Sequence, residues 1–274
     1  MVGDARDTAA QGGPLPGPFP SRRVVLLGAS NLTRGIATVL ETARSVWGRP
    51  LDVLAALGHG RSYGMRSTVL GRTLPSTLNC GLWDALAQRP AVPTAALITD
   101  IGNDLLYEAP VERIVDWVGQ CLDRLLAIGA RVAISRLPVA NIAALSELRF
   151  RLLRRAMFPL GRLDFATISA RACELDQRIV ELARTRGVGL VEQQTLWYGW
   201  DPIHIRRRYW ASAWGQMLAP WTVAESMAEP ARASFFDELY LRLLAPQERR
   251  WLGIAQRRRQ PCGGLRDGTL VSYY

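Results

Sequence analysis

Between Arg23 and Val191, short apolar runs alternate with segments of helical period, and this alternation constrains the fold more than any other feature. Arg23–Gly28, Leu51–Leu57, Thr94–Thr99, Arg131–Ser135 and Val188–Val191 read as five strands. Their apolar residues run continuously, as in strands buried on both faces. Between them, Ile36 to Val46 carries apolar residues at helical spacing. A helix opened by Pro110 turns Val111, Ile114, Val115, Val118, Leu122 and Leu125 inward. Ile168, Ala172, Leu175, Ile179 and Leu182 stripe another, which Gly187 stops. Strands alternating with helices predict an α/β layer fold on a mostly parallel five-stranded sheet. We expect right-handed connections and a flavodoxin-like order with the first strand central. In such a sheet, ligands bind beyond the carboxyl ends of the strands.

The flanks read differently. Residues 1–20 are rich in Gly, Pro and Ala and are expected to be a disordered lead-in to an α/β domain over 21–225. Residues 226–274 are expected to form a helical extension with a basic tail. Within the chain after His204, Arg206–Trp221 and Phe235–Leu244 read as helices, and Gln256–Gln260 with Gly263-Gly264 as a loosely held tail.

Composition excludes several classes. No apolar run reaches the roughly 18 residues that a membrane span needs. The N-terminus lacks the apolar core of a secretory signal, so a cytoplasmic location is expected. Four scattered cysteines (Cys80, Cys121, Cys173, Cys262) fit neither a zinc site nor a disulfide framework. All 34 basic residues are arginine, and the net charge is +10. A chain without lysine cannot carry a P-loop, a Schiff base or a Tyr-x-x-x-Lys pair. The arginines have two readings: a genome favouring arginine codons, or attraction to acidic partners.

Four stretches carry the chemistry. Gly28-Ala29-Ser30-Asn31 follows the first strand and opens a helix, so Ser30 is either a helix cap or a nucleophile. No G-x-G-x-x-G follows, which argues against a dinucleotide loop. Gly60-Arg61-Ser62-Tyr63-Gly64 matches G-x-S-x-G, making Ser62 the rival nucleophile. Only two strands precede it, however, so its glycines are better read as letting backbone approach a reacting centre. Gly60, then Gly64, is the expected backbone donor. In Gly102-Asn103-Asp104, the Asn103 amide is either part of a turn or an oxyanion donor, with Asp104 orienting the loop. Asp201-Pro202-Ile203-His204 sets a carboxylate three residues before one of only two histidines. This spacing lets Asp201 orient His204 as a base. His59 is the alternative base, but with no acid placed to orient it, it is better read as a substrate-binding residue beside the glycine loop.

In their joint order these blocks resemble the SGNH (GDSL-like) hydrolase family over roughly Arg23 to Trp214. The resemblance implies a three-layer α/β/α sandwich and an esterase or acyl hydrolase. It implies Ser30 as nucleophile, His204 as base and Asp201 as its orienting acid. The oxyanion donors would be the backbone of Ser30 and Gly60 and the side chain of Asn103. Two positions depart from the family pattern: Ala29 stands where Asp is usual, and Ile101 where the third block usually has Gly. The implied substrate is a small-molecule or carrier-linked acyl ester or thioester, with no cofactor, no metal and no nucleic-acid partner. Trp200 and Arg206 are candidate substrate contacts beside the histidine. The alternative reading is a non-catalytic α/β module that binds phosphate or nucleic acid through its arginines. The sequence does not fix the oligomeric state.

Overall fold

Strand β1 (Arg23–Leu27) is buried along its whole length, its apolar Val24–Leu27 on both faces of the sheet and its Arg23 paired with Asp52 at 2.8 Å. The structure, a computed structural model, describes residues 19–157, 163–222 and 233–274. Most of the expected lead-in therefore lies outside the described residues.

From β1 the chain enters α1 (Ser30–Trp47) and returns through β2 (Asp52–Ala56). A hairpin of β3 (Ser67–Val69) and β4 (Arg72–Leu74) precedes α2 (Leu82–Gln88) and β5 (Thr94–Ile98). Short α3 (Asn103–Leu106), long α4 (Val111–Ala127) and β6 (Arg131–Ser135) follow. Next come α5 (Val139–Ala143), α6 (Glu147–Met157), α7 (Phe165–Thr185) and β7 (Gly189–Val191). The C-terminal part holds α8 (Trp210–Leu218), α9 (Phe235–Leu243), β8 (Glu248–Trp251), β9 (Ile254–Arg257), β10 (Gly263–Gly264) and β11 (Leu270–Tyr273).

The main sheet runs β10-β11-β2-β1-β5-β6-β7. Its five expected strands pair in parallel in the flavodoxin-like order, with β1 central. The pleat divides the core between two helical layers. Val25 and Leu27 pack with α2, α4 and α7 through Leu86, Ile114, Leu122, Leu175 and Ile179. Val24 and Leu26 pack with α1 and α8 through Ile36, Leu40, Trp214 and Met217. Gly35 lets α8 approach closely, since a Cβ there would stand 2.4 Å from Trp214 Nε1.

The sequence reading is corrected at the C-terminus. The sheet has seven strands rather than five, because β11 adds in parallel to β2 and β10 pairs antiparallel to β11. The expected loose tail is ordered, with β9 joining a second sheet, β3-β4-β8-β9. Both hairpins of that sheet turn on two residues at positive φ, Leu70-Gly71 and Leu252-Gly253, the geometry of a type I′ turn. The expected helix over Arg206–Trp221 is broken: α8 is flanked by single 3-10 turns at Arg207–Tyr209 and Ala219–Trp221.

Candidate active site

The carboxyl end of β1 delivers Ser30 to the first position of α1. Gly28 is required in the connection, since a Cβ there would lie 2.8 Å from Thr99 Cγ2. Ala29 supplies no side-chain cap. Asp100, just past β5, supplies one across the sheet. Its Oδ2 accepts from the backbone N–H of Ala29 (2.8 Å), Asn31 (3.1 Å) and Leu32 (3.2 Å). A carboxylate at this helix end satisfies orphan donors and complements the helix dipole. Asp100 holds φ at +58°, a left-handed conformation that Asp tolerates better than most residues.

Asn31 joins the serine to the histidine loop. Its Nδ2 donates to Asp100 Oδ1 and to the Ile203 carbonyl, both at 2.8 Å, and its Oδ1 accepts from Ile205 N–H at 2.8 Å. His204 is thereby held with Nε2 2.9 Å from Ser30 Oγ and Nδ1 2.6 Å from Asp201 Oδ2. Asp201 Oδ1 accepts from the backbone N–H of Ile203 (3.1 Å) and His204 (3.2 Å). Burial pushes the Asp201 carboxyl up, but the bond and charge of His204 with these N–H groups outweigh it and hold the carboxyl below its ordinary range.

Asn103 begins α3 and lines the same cavity as Ser30. It is 9% exposed, and its Nδ2 is buried with no hydrogen-bond partner among the described residues. A buried donor left free in a native protein calls for a functional explanation. The cavity, about 100 Å³, is walled largely by apolar side chains, including Ile101, Leu105, Leu137, Leu145, Phe150 and Ile168.

The remaining expected residues divide. Ser62 is fully buried. Its hydroxyl donates to Asp104 and accepts from the N–H of Gly64 (3.2 Å) and Met65 (2.8 Å). The G-x-S-x-G stretch is thus a structural turn, with Asp104 Oδ2 also accepting from Tyr63 N–H at 3.0 Å. Burial raises the Asp104 carboxyl to about 6 against the bonds from Ser62 and Tyr63. Gly64 abuts Trp117, with a Cβ there falling 1.9 Å from the ring, so its lack of a side chain serves packing. Gly60 lies at φ +65° beside β2, its carbonyl accepting from the Tyr107 hydroxyl at 2.6 Å. Trp200 is 62% exposed and lies against Arg149, outside the Ser30 cavity. Arg206 folds back, donating to the Leu196 carbonyl at 2.5 Å and stacking on Tyr209. His59 lines a separate cavity on the other side of β1.

Comparison with solved structures places this architecture. The native aryl esterase of M. smegmatis superposes with a TM-score of 0.50 at 14% identity, over 73% of this chain and 96% of that one. The fold is that of an SGNH hydrolase. A carbohydrate acetylesterase family member from Sinorhizobium meliloti gives a TM-score of 0.49 at 17% identity, over 72% of this chain and 96% of that one. No protein-family model and no curated sequence matches the chain. Within the SGNH-hydrolase fold, two site residues escaped sequence reasoning: Asp100, which brings a carboxylate to the serine turn where Ala29 brings none, and Asn31, which ties that turn to the histidine loop. The only local sign of Asp100 was its place just past a strand, shared by many turn residues. No helix among the described residues is long and apolar enough to cross a membrane.

Proposed function

We propose that the chain is an SGNH-type serine hydrolase that cleaves a carboxylic ester or thioester through an acyl-enzyme on Ser30. One observation carries this reading: Ser30 Oγ, the His204 ring and Asp201 form an unbroken hydrogen-bonded relay at 2.9 and 2.6 Å. The Asp201 carboxylate accepts only, so it favours the proton on His204 Nδ1 and leaves the Nε2 lone pair to accept from the Ser30 hydroxyl. As Oγ attacks the acyl carbon, His204 takes its proton and then gives it to the leaving oxygen or sulfur. Water, activated by the same nitrogen, then cleaves the acyl-enzyme. The oxyanion is assigned to the N–H groups of Ser30 and Gly60 and to Asn103 Nδ2, the free donor beside the serine. The apolar cavity next to Ser30 suits the acyl chain. The binding-module alternative needs a broken relay, and the distances do not favour it.

Labelling with a fluorophosphonate tests the reading. Wild type and Ser62→Ala are expected to label and Ser30→Ala not to. Retained label in folded Ser30→Ala, or loss in folded Ser62→Ala, would move the nucleophile.

A further inference from the structure

The second cavity, of about 620 Å³, is lined by α1, the loop after β2, the small sheet and α9. Along the main sheet it lies on the β2 side of β1, whereas the apolar cavity lies on the β5 and β6 side. Its walls carry five arginines: Arg34, Arg72, Arg207, Arg242 and Arg249. Glu238 pairs with Arg207 at 2.5 Å and Arg242 at 2.7 Å. Among the described residues, no carboxylate lies within ion-pair distance of Arg34, Arg72 or Arg249.

An arginine-rich composition does not explain this cluster. Elsewhere, several inward-facing arginines meet carboxylates, Arg23 and Arg89 holding Asp52, Arg44 Asp267, and Arg136 Asp176, while the fully buried Arg61 is held by the carbonyls of Leu57, Ser76 and Tyr274. Here cations face one another. The β4–β8 register sets Arg72 opposite Trp251 and Thr73 opposite Arg250, so Arg249 is the diagonal neighbour of Arg72 on the same face. Burial, and then the charges of Arg249 and Arg61, lower the Arg72 pKa. Like charges in a partly desolvated concavity repel, and a bound anion relieves the repulsion. Arginine forks fit phosphate oxygens in pairs.

The cavity adjoins the reacting centre. Thr33 and Arg34 line it one helical turn after Ser30, a spacing of about 5–6 Å between Cβ atoms. His59 is also in its wall, and burial, then the charges of Arg72, His204 and Arg34, lower its pKa against the opposing charge of Asp100.

We propose that this cavity holds the phosphate or diphosphate of the leaving group, so that the substrate is an acyl ester or thioester of a phosphorylated alcohol or thiol. The inference rests on the hydrolase reading. The acyl chain occupies the apolar cavity, the scissile carbonyl sits at Ser30, and the phosphorylated part extends across β1. The acyl–oxygen or acyl–sulfur bond breaks, the leaving atom takes the proton from His204, and the phosphate ester stays intact.

Two matched substrate pairs test this and distinguish the sources. Octanoyl-coenzyme A against octanoyl-pantetheine probes a phosphorylated thiol. Octanoyl-glycerol 3-phosphate against monooctanoylglycerol probes a phospholipid-like alcohol. In one pair, kcat/KM is expected to favour the phosphorylated member at least tenfold, and this ratio to fall towards one in Arg72→Gln/Arg249→Gln. Pyrophosphate is expected to compete with the favoured substrate on the wild-type protein, a measurement that needs no variant. It is also expected to raise the Tm of Ser30→Ala but not of the double arginine variant. Fluorophosphonate labelling with ratios near one in both pairs, or ratios unchanged in the folded double variant, would overturn this inference alone. Failure of labelling together with retained pyrophosphate binding would sink the hydrolase reading, and with it the leaving-group assignment.

Discussion

Replacing Asn103 with alanine should separate catalysis from stability. In most buried sites, truncating an amide breaks hydrogen bonds and destabilises the protein. Here Nδ2 has no partner to lose. An unsatisfied buried donor costs about 1–3 kcal/mol of desolvation in the resting protein, and Asn103→Ala removes that cost. The void left by one small side chain offsets part of this gain. The net expectation is a Tm at or slightly above wild type. Turnover should move the other way. If Nδ2 meets the developing oxyanion, its removal costs roughly 10²–10³ in kcat, or about 3–4 kcal/mol of transition-state stabilisation, with KM little changed. The assay pairs steady-state hydrolysis of a p-nitrophenyl ester with thermal unfolding of the same preparation. A kcat within threefold of wild type would refute the oxyanion assignment. A kcat loss matched by a fall in Tm would show that Asn103 serves the fold instead.

Other substitutions report on the carboxylates. Asp100→Ala strips the cap from three backbone N–H groups at the start of α1. It should cost about 2–3 kcal/mol and lower kcat by displacing the Ser30 turn; an unchanged urea midpoint would count against this role. Asp104 titrates near 6 in the folded protein against 3.8 ordinarily. Between those values the folded state binds more protons, so the stability it contributes is full below 3.8 and lost as pH rises through 6. Asp104→Asn lacks this loss, so its destabilisation should be greater at pH 4.5 than at pH 7.5, by about 2 kcal/mol. Equal penalties at both pH values in urea unfolding would contradict the raised carboxyl.

Much of the sheet was legible because β2, β1, β5, β6 and β7 are short apolar runs closed by turns and separated by amphipathic helices. That pattern is local and needs no partner to be recognised. The C-terminal strands lacked such a signal. β11 is four residues long, and its partner β2 lies more than 200 positions earlier. Whether such a segment pairs or stays free depends on an edge that sequence period does not reveal. The hairpins were missed for a different reason: Leu70-Gly71 and Leu252-Gly253 place leucine where Asn or Asp usually marks a type I′ turn. At the site, the Asp201–His204 spacing was readable because one short turn joins carboxylate and ring. Asp100 was not, since its bonds reach about 70 residues back in sequence.

The same distinction explains how the relay is held together. Ser30 and His204 stand 174 positions apart, and one hydrogen bond between them is too weak to set their geometry. Asn31 solves this mechanically: a single amide group accepts from Ile205 and donates to Ile203, clamping both sides of His204 from the residue next to Ser30. Asp100 fixes that amide and the serine turn with one carboxylate. Ser30 and His204 are therefore referred to a common anchor at the end of β5, the strand that also leads to Asn103. A shift of that anchor would move all three groups together rather than pull the relay apart.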